Sequence, residues 1–184
     1  MSRLSRVLLA SCLVMLVANS AMADNAPTLP GGANAISEMH GDWTVRCGIA
    51  APPDGSAGTS VCTVSQQQLD KATKRRVLFI GLSASEDGGV KGSLVMPFGL
   101  TLDSGVTLQV DDGPITAAVH FKTCIPAGCV IPLEWPTATV KALRTAQKLK
   151  AVAQNENGQP ALFSISMTGF ASALDRASAL VKTK

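Results

Sequence analysis

Tyrosine is absent from this chain of 184 residues, and two tryptophans and five phenylalanines make up its whole aromatic content. So few rings leave no platforms on which bases could stack, and no block of lysine or arginine supplies the electrostatic footprint of a nucleic-acid binder. Histidine is as scarce. His40 and His120 lie far apart, and neither has a partner ligand three to five residues on, so neither begins a metal site. Long apolar runs are missing too. The longest, Val7 to Ala18, falls short of the roughly 18 to 20 residues that a bilayer-spanning helix needs.

Catalytic signatures are equally hard to find. There is no Gly-x-Ser-x-Gly elbow and no Gly-x-x-x-x-Gly-Lys phosphate loop. The 13 acidic residues are scattered without a paired spacing, and Asp111 and Asp112 read as turn residues. Cys124 and Cys129 enclose four residues and follow a strand into a turn. A redox pair normally opens a helix, whose N-terminus stabilises the attacking thiolate. The chain is therefore expected to be no enzyme and to carry no cofactor or metal; a thiol-disulfide enzyme using Cys124 and Cys129 is the weaker alternative.

What is present begins with an export signal. Arg3 and Arg6 precede the apolar run, and Ala21-Met22-Ala23 supplies the small residues of a cleavage site, so residues 1–23 read as a signal peptide. Leu9-Ala10-Ser11-Cys12 has lipoprotein-box spacing, but the apolar stretch before it is too short for that role. The arginines are not adjacent, which argues against twin-arginine export. Removing them brings 16 basic and 13 acidic residues close to balance. Residues 24–38, with Pro27, Pro30, Gly31 and Gly32, read as a flexible leader, and residues 39–184 as one domain. The expected location is the periplasm, with the outer surface or secretion as extensions of the same route.

Cleavage also removes Cys12, leaving four cysteines in an oxidising compartment, hence two bridges with three possible connectivities. The local pairing is favoured, Cys47 with Cys62 and Cys124 with Cys129, because each pair closes a segment rich in turn residues. In the chain-entropy treatment, loops of these lengths are worth roughly 3 and 2 kcal/mol. Spacings of fifteen and five do not make the short paired knuckles of a zinc site.

Period-two alternation predicts strands at 42–49, 61–68, 91–97, 105–110, 115–121, 130–134, 149–154 and 161–168. The apolar run 75–84 reads as a central strand covered on both faces. Asp111-Asp112-Gly113 and Asn157-Gly158 predict hairpin turns. Helical spacing of Val140, Leu143 and Ala146 predicts a short surface helix, capped by Thr137 or Thr139, with Lys141, Arg144 and Lys148 on its outer face. A terminal helix follows Gly169, using Phe170, Ala173, Leu174, Ala177, Leu180 and Val181. The fold class expected is mainly β, a two-layer β-sandwich with one or two short peripheral helices and two local disulfides. Trp43 alternates with Val45 and Cys47 and is expected in the core. Trp135, at a strand-helix junction, joins Lys141, Arg144 and Lys148 as a candidate interaction surface for an acidic partner or anionic lipid.

An ordered set of marks completes the reading. Gly41-Asp42-Trp43 with Cys47, Cys62 followed by Gln66, Met96-Pro97-Phe98-Gly99-Leu100 before Gly105-Val106 and Asp111, Cys124 with Gly128-Cys129, and a closing Thr168-Gly169-Phe170-Ala171-Ser172-Ala173-Leu174 resemble the invasion-associated locus B family of exported α-proteobacterial proteins. The likeness runs from about Gly41 to Leu180. It implies an immunoglobulin-like sandwich, a signal peptide, a periplasmic or outer-surface location and no known catalytic activity. A member in certain pathogens is associated with invasion of host red cells. The function expected is a non-enzymatic exported protein-interaction module whose partner is another protein; an envelope accessory or small-ligand-binding protein is the alternative.

Overall fold

The computed structural model describes residues 28–54, 56 and 58–182; the expected signal peptide (residues 1–23), the first residues of the expected leader and the last two residues lie outside this range. Ten strands run β1 Ala35–His40, β2 Trp43–Ala50, β3 Thr59–Leu69, β4 Arg76–Ala84, β5 Val90–Met96, β6 Thr107–Val110, β7 Thr123–Ile125, β8 Gly128–Trp135, β9 Lys148–Gln154 and β10 Pro160–Ser166. Helix α1 spans Thr137–Thr145 and helix α2 Phe170–Lys182. The strands form a seven-stranded sheet in the order β1-β2-β3-β4-β5-β8-β7 and a three-stranded sheet in the order β10-β9-β6. The expected mainly β architecture, with two sheets, two short helices and two local disulfides, is present. Its layers are unequal, because α2 packs against β2 and β3 and takes the place of further strands in the smaller layer.

Alternation explains the buried layer. Trp43, Val45 and Cys47 of β2, Cys62, Val64 and Gln66 of β3, and Leu78, Ile80 and Leu82 of β4 all point inward and are buried. Leu149, Ala151 and Ala153 of β9 meet them from the other layer, and Phe170, Ala173, Leu174, Ala177 and Leu180 do so from α2. Trp43 is fully buried, as expected, and its ring lies 5.0 Å from that of Phe170 at 56°.

The layers are joined by polar atoms as well as by apolar contact. β10 is an edge strand, and two of its carbonyls accept hydrogen bonds from the larger sheet. Trp43 Nε1 and Gln66 Nε2 both donate to the Ser166 oxygen at 2.9 Å, and Gln68 Nε2 donates to the Ser164 oxygen at 2.6 Å. Gln66 is the one buried polar side chain among the described residues, and its Oε1 accepts from Gln68 at 3.3 Å. Buried carbonyls without partners are costly, so these donors make the edge of β10 compatible with burial.

A second junction joins the turn between β1 and β2 to the start of α2. The Gly41-Asp42 turn lies against Thr168-Gly169, with the Asp42 amide donating to the Thr168 oxygen at 3.0 Å. Both glycines have positive φ, and a Cβ on Gly169 would collide with the His40 carbonyl oxygen.

Several expectations change. The leader ends earlier than residue 38, because Leu29 is buried and Ala35–His40 pairs with β2 over its whole length. β4 is covered on its inner face alone; Val77 and Phe79 of its outer face are half-buried, with the Arg76 guanidinium 5.9 Å above the Phe79 ring. Residues 115–121 form no strand. They touch β6 and the residue before it through two isolated bridges, Val106 to Val119 and Gln109 to Ile115, which are one residue out of step. The Thr116 hydroxyl, instead of a backbone carbonyl, accepts the Leu108 amide at 2.9 Å, and this substitution breaks the ladder. The predicted loop 124–129 is a hairpin, with β7 and β8 directly paired across Cys124 and Cys129. Neither threonine caps α1: Pro136 is its N-cap, and the Thr137 hydroxyl donates to the Asp87 oxygen instead.

Two outcomes test these junctions. Gln66→Leu leaves the Ser166 carbonyl its Trp43 donor, whereas Gln66→Leu with Trp43→Phe leaves it none. Chemical denaturation should show the double variant losing roughly 1–2 kcal/mol more than the sum of the singles. Gly169→Ala should cost about 3 kcal/mol. Gly158→Ala, at a φ of 74° but with nothing within 4 Å of its added methyl, should cost about 1 kcal/mol.

Candidate interaction surface

The two connections between the sheets carry three of the nine exposed large apolar side chains among the described residues. From β5 the chain crosses to β6 through Pro97-Phe98-Gly99, and from β6 it returns to β7 through residues 111–122. Phe98 is 61 % and Ile115 65 % exposed, and Leu102 and Ile125 are exposed as well. A shallow hollow of about 390 Å³ between the two connections is lined by Leu102, Asp103, His120, Phe121, Lys122 and Thr123. Phe98 stands on a turn between Pro97 and a glycine of positive φ, so the chain has no regular register there with which to turn the ring inward. A lone aromatic flanked by turn residues was the signal in the sequence for this exposure.

A second apolar depression, of about 880 Å³, opens between α1, α2 and the ends of β3 and β4. Cys62, Ala84, Val140, Leu174, Ala177 and Val181 line it, with Lys141, Arg144 and Glu86 also at its wall. Val181, expected to complete the buried face of α2, is instead 46 % exposed at this opening.

The sequence-derived candidates disperse across this framework. Cys47 and Cys62 are bonded and directly opposed in β2 and β3, both buried. Cys124 and Cys129 are bonded across the β7–β8 hairpin, with Cys124 exposed and Cys129 buried. Trp135 is half-buried at the end of β8 and packs against the core. Lys141 projects from α1 without an ion pair or hydrogen bond among the described residues. Arg144 is held by α2 through a two-pronged bond to Asp175 at 2.6 and 2.8 Å. Lys148 does not lie on the helix, which ends at Thr145. It starts β9, where its amide donates to Asp111 Oδ1 at 2.9 Å. Asp111 has a φ of 47°, and its carboxylate also accepts the Gln147 amide, so it terminates the helix-to-strand connection from outside. The basic face read from the sequence is thus reduced to Lys141 and Arg144.

No group of three histidine, cysteine or acidic residues converges among the described residues in the way that a metal ion would require. Among the described residues no helix is long and apolar enough to cross a membrane. The best-developed charge cluster is one the sequence did not reveal. Arg176 of α2 donates to both Glu38 oxygens on β1, at 2.8 and 2.7 Å, and His40 lies 3.5 Å from the same carboxylate. The Arg176 bond, supported by His40, pushes the Glu38 carboxyl from its usual 4.5 down to about 2.

Comparison with known proteins bears directly on these features. Residues 43–178 match the family described as Invasion associated locus B (IalB) protein. The chain belongs to the invasion-associated locus B family. An invasion protein B homolog of Brucella abortus is 38 % identical over 166 residues, covering 89 % of this chain and 91 % of the relative. Invasion protein B of Bartonella bacilliformis is 32 % identical over 166 residues, covering 89 % and 86 %. The crystal structure of invasion associated protein B from Bartonella henselae superimposes with a TM-score of 0.71 at 32 % identity, covering 79 % of this chain and 96 % of that one.

The residues that suggested the invasion-associated locus B family serve the fold. Gly41-Asp42-Trp43 and Thr168-Gly169-Phe170 form the junction between the β1–β2 turn and the start of α2, and Gln66 joins the sheets. Only Phe98, within Met96-Pro97-Phe98-Gly99-Leu100, puts a large apolar side chain of this set into solvent.

Because Glu38 is ionised more readily in the folded chain than its ordinary value allows, the Glu38–Arg176 pair favours folding fully above about pH 4.5. That contribution disappears as the pH falls from 4.5 toward 2. Equilibrium unfolding across this interval should show wild-type stability declining with acidity. Glu38→Gln should flatten the part of the slope that this carboxylate supplies.

Proposed function

We propose that this member of the invasion-associated locus B family is a non-enzymatic protein-interaction module exported to the periplasm or cell surface, and that its sandwich presents the inter-sheet connections to another protein. The observation that carries the reading is the exposure of Phe98, Leu102 and Ile115 on the two connections that run between the sheets, with Leu102 lining the hollow between them. An aromatic among them is the usual energetic anchor of an interface. Loops carried on a rigid sheet framework are also where binding residues concentrate. The relatives from Brucella and Bartonella bear the name invasion protein B, and participation in host-cell invasion comes to this chain by that kinship.

Crosslinking in the native organism, followed by capture from the periplasmic and surface fractions, tests the reading. The recovered chain should begin at Asp24 and bring down a defined envelope or host protein. Phe98→Ser with Ile115→Ser should lose that protein while leaving thermal stability within about 1 kcal/mol of wild type, since both side chains are already in water. An unchanged set of captured proteins from the double variant would falsify this assignment.

A further inference from the structure

β3 is longer than its neighbour's pairing allows. Its residues Thr59 to Ser65 pair with β2, but the ladder with β4 begins only at Val64 opposite Leu82. At the other side of the gap, Ser83 and Ala84 of β4 pair with β5 alone. β3 and β4 therefore part at Cys62 and Ala84, and the 880 Å³ groove lies over the parting, with α1 and α2 as its walls.

The direction in which the free stretch of β3 presents its backbone follows from the disulfide partner. Antiparallel pairs alternate between wide ones that exchange hydrogen bonds, near 5.5 Å between Cα atoms, and narrow ones that do not, near 4.5 Å. Cys47 and Cys62 are 4.1 Å apart, a narrow pair. The amide and carbonyl of Cys62 therefore point away from β2, and by the two-residue repeat so do those of Ser60. Both residues line the groove, and neither has a strand opposite it on that side. A short open sheet edge thus lies at the bottom of an apolar trough, and such an edge is a template for another strand.

We infer that the groove binds an extended peptide segment of a partner by strand addition to Ser60–Cys62. Its apolar side chains would lie against Val140, Leu174, Ala177 and Val181, and an acidic side chain would meet Lys141. The backbone groups choose a polypeptide over an acyl chain, since a lipid tail would cover the amides and carbonyls of Ser60 and Cys62 without bonding them. The charge preference comes from Lys141, which has no partner among the described residues, while the charge of Arg144 is matched by Asp175. Glu86 at the β4–β5 turn also lines the wall, so a peptide acid is directed to the α1 side. This inference shares with the proposed function the premise of a polypeptide partner, but it concerns a different surface, so the two fail separately.

The test is a titration of the purified chain with a fluorescently labelled, blocked peptide of alternating valine and threonine carrying one aspartate. Three companion probes are the same peptide with lysine for aspartate, the same peptide N-methylated at alternate residues, and a fluorescent long-chain fatty acid. Saturable binding of the aspartate peptide is expected, with methylation abolishing it, because strand addition requires amide donors that simple apolar contact does not. Lys141→Glu should weaken the aspartate peptide roughly two- to fivefold and strengthen the lysine peptide. Ala84→Trp, at an exposed position that the fold tolerates, should fill the parting and block both peptides. The inference is overturned by absent or non-saturable peptide binding, by equal affinity of the methylated peptide, by Lys141→Glu acting alike on both charges, or by uptake of the fatty acid in place of the peptide. Failure here, with capture through Phe98 and Ile115 intact, would remove the groove and leave the proposed function standing.

Discussion

The carbonyl oxygens of Ser164 and Ser166 belong to the last strand of the small sheet, yet they are satisfied by side chains of the large one. Trp43 and Gln66 converge on Ser166, and Gln68 reaches Ser164. The Ser166 oxygen lies in part-buried surroundings, and a carbonyl left unpaired there would cost about 1–3 kcal/mol, whereas Ser164 is exposed. Trp43 and Gln66 remove that penalty, and with Gln68 they fix the translational register of one layer over the other. Apolar packing alone would permit sliding by a residue or two. Hydrogen-bonding geometry does not, so these bonds hold β10 in one position over β2 and β3.

The same region shows why marks that identify a family need not identify what its members bind. Gly41 and Gly169 are glycines because two turns approach so closely that side chains would strike backbone. Trp43 and Phe170 are large and aromatic because they fill the space beneath that contact, and Gln66 is polar because it answers a buried carbonyl. These requirements concern assembly of the sandwich. The exposed side chains of Phe98 and Lys141 answer no such internal demand.

Much of the fold was legible because its strands are covered on one face, and one-sided burial writes itself into the sequence as alternation. β2 and β3 show this well, and the opposed cysteines followed from the same alternation together with the turn-rich segments they close. Reading failed wherever a side chain took over a backbone role. Thr116 accepts the Leu108 amide and dissolves a strand that Ile115, Ala117, Val119 and Phe121 spelled out. Asp111, read as a turn residue, also binds the amides of Gln147 and Lys148 and ends α1 before the last cation of its apparent stripe. The run of β4 suggested burial on both faces, but a central position in a sheet with one bare face produces nearly the same composition. Glu38 and Arg176, 138 residues apart, gave no local signal at all. The parting of β3 from β4 was hidden for a related reason: it depends on where two strands stop pairing, and periodicity reports which face a residue takes without reporting how far its neighbour accompanies it.

The spacing of these contacts along the chain also dictates an order of assembly. The covalent links span 15 and 5 residues, each within a single hairpin. The hydrogen bonds that bring the layers together span 123 and 100. Nearby ends meet quickly and distant ones slowly, so the oxidised hairpins and the consecutive β1 to β5 meander are the early products, and joining the layers is the late event. Until the final quarter of the polypeptide arrives, the inner face of the large sheet has no cover. A nascent chain of this design spends its youth as an open, half-wetted sheet, and its vulnerability to self-association is concentrated in that interval.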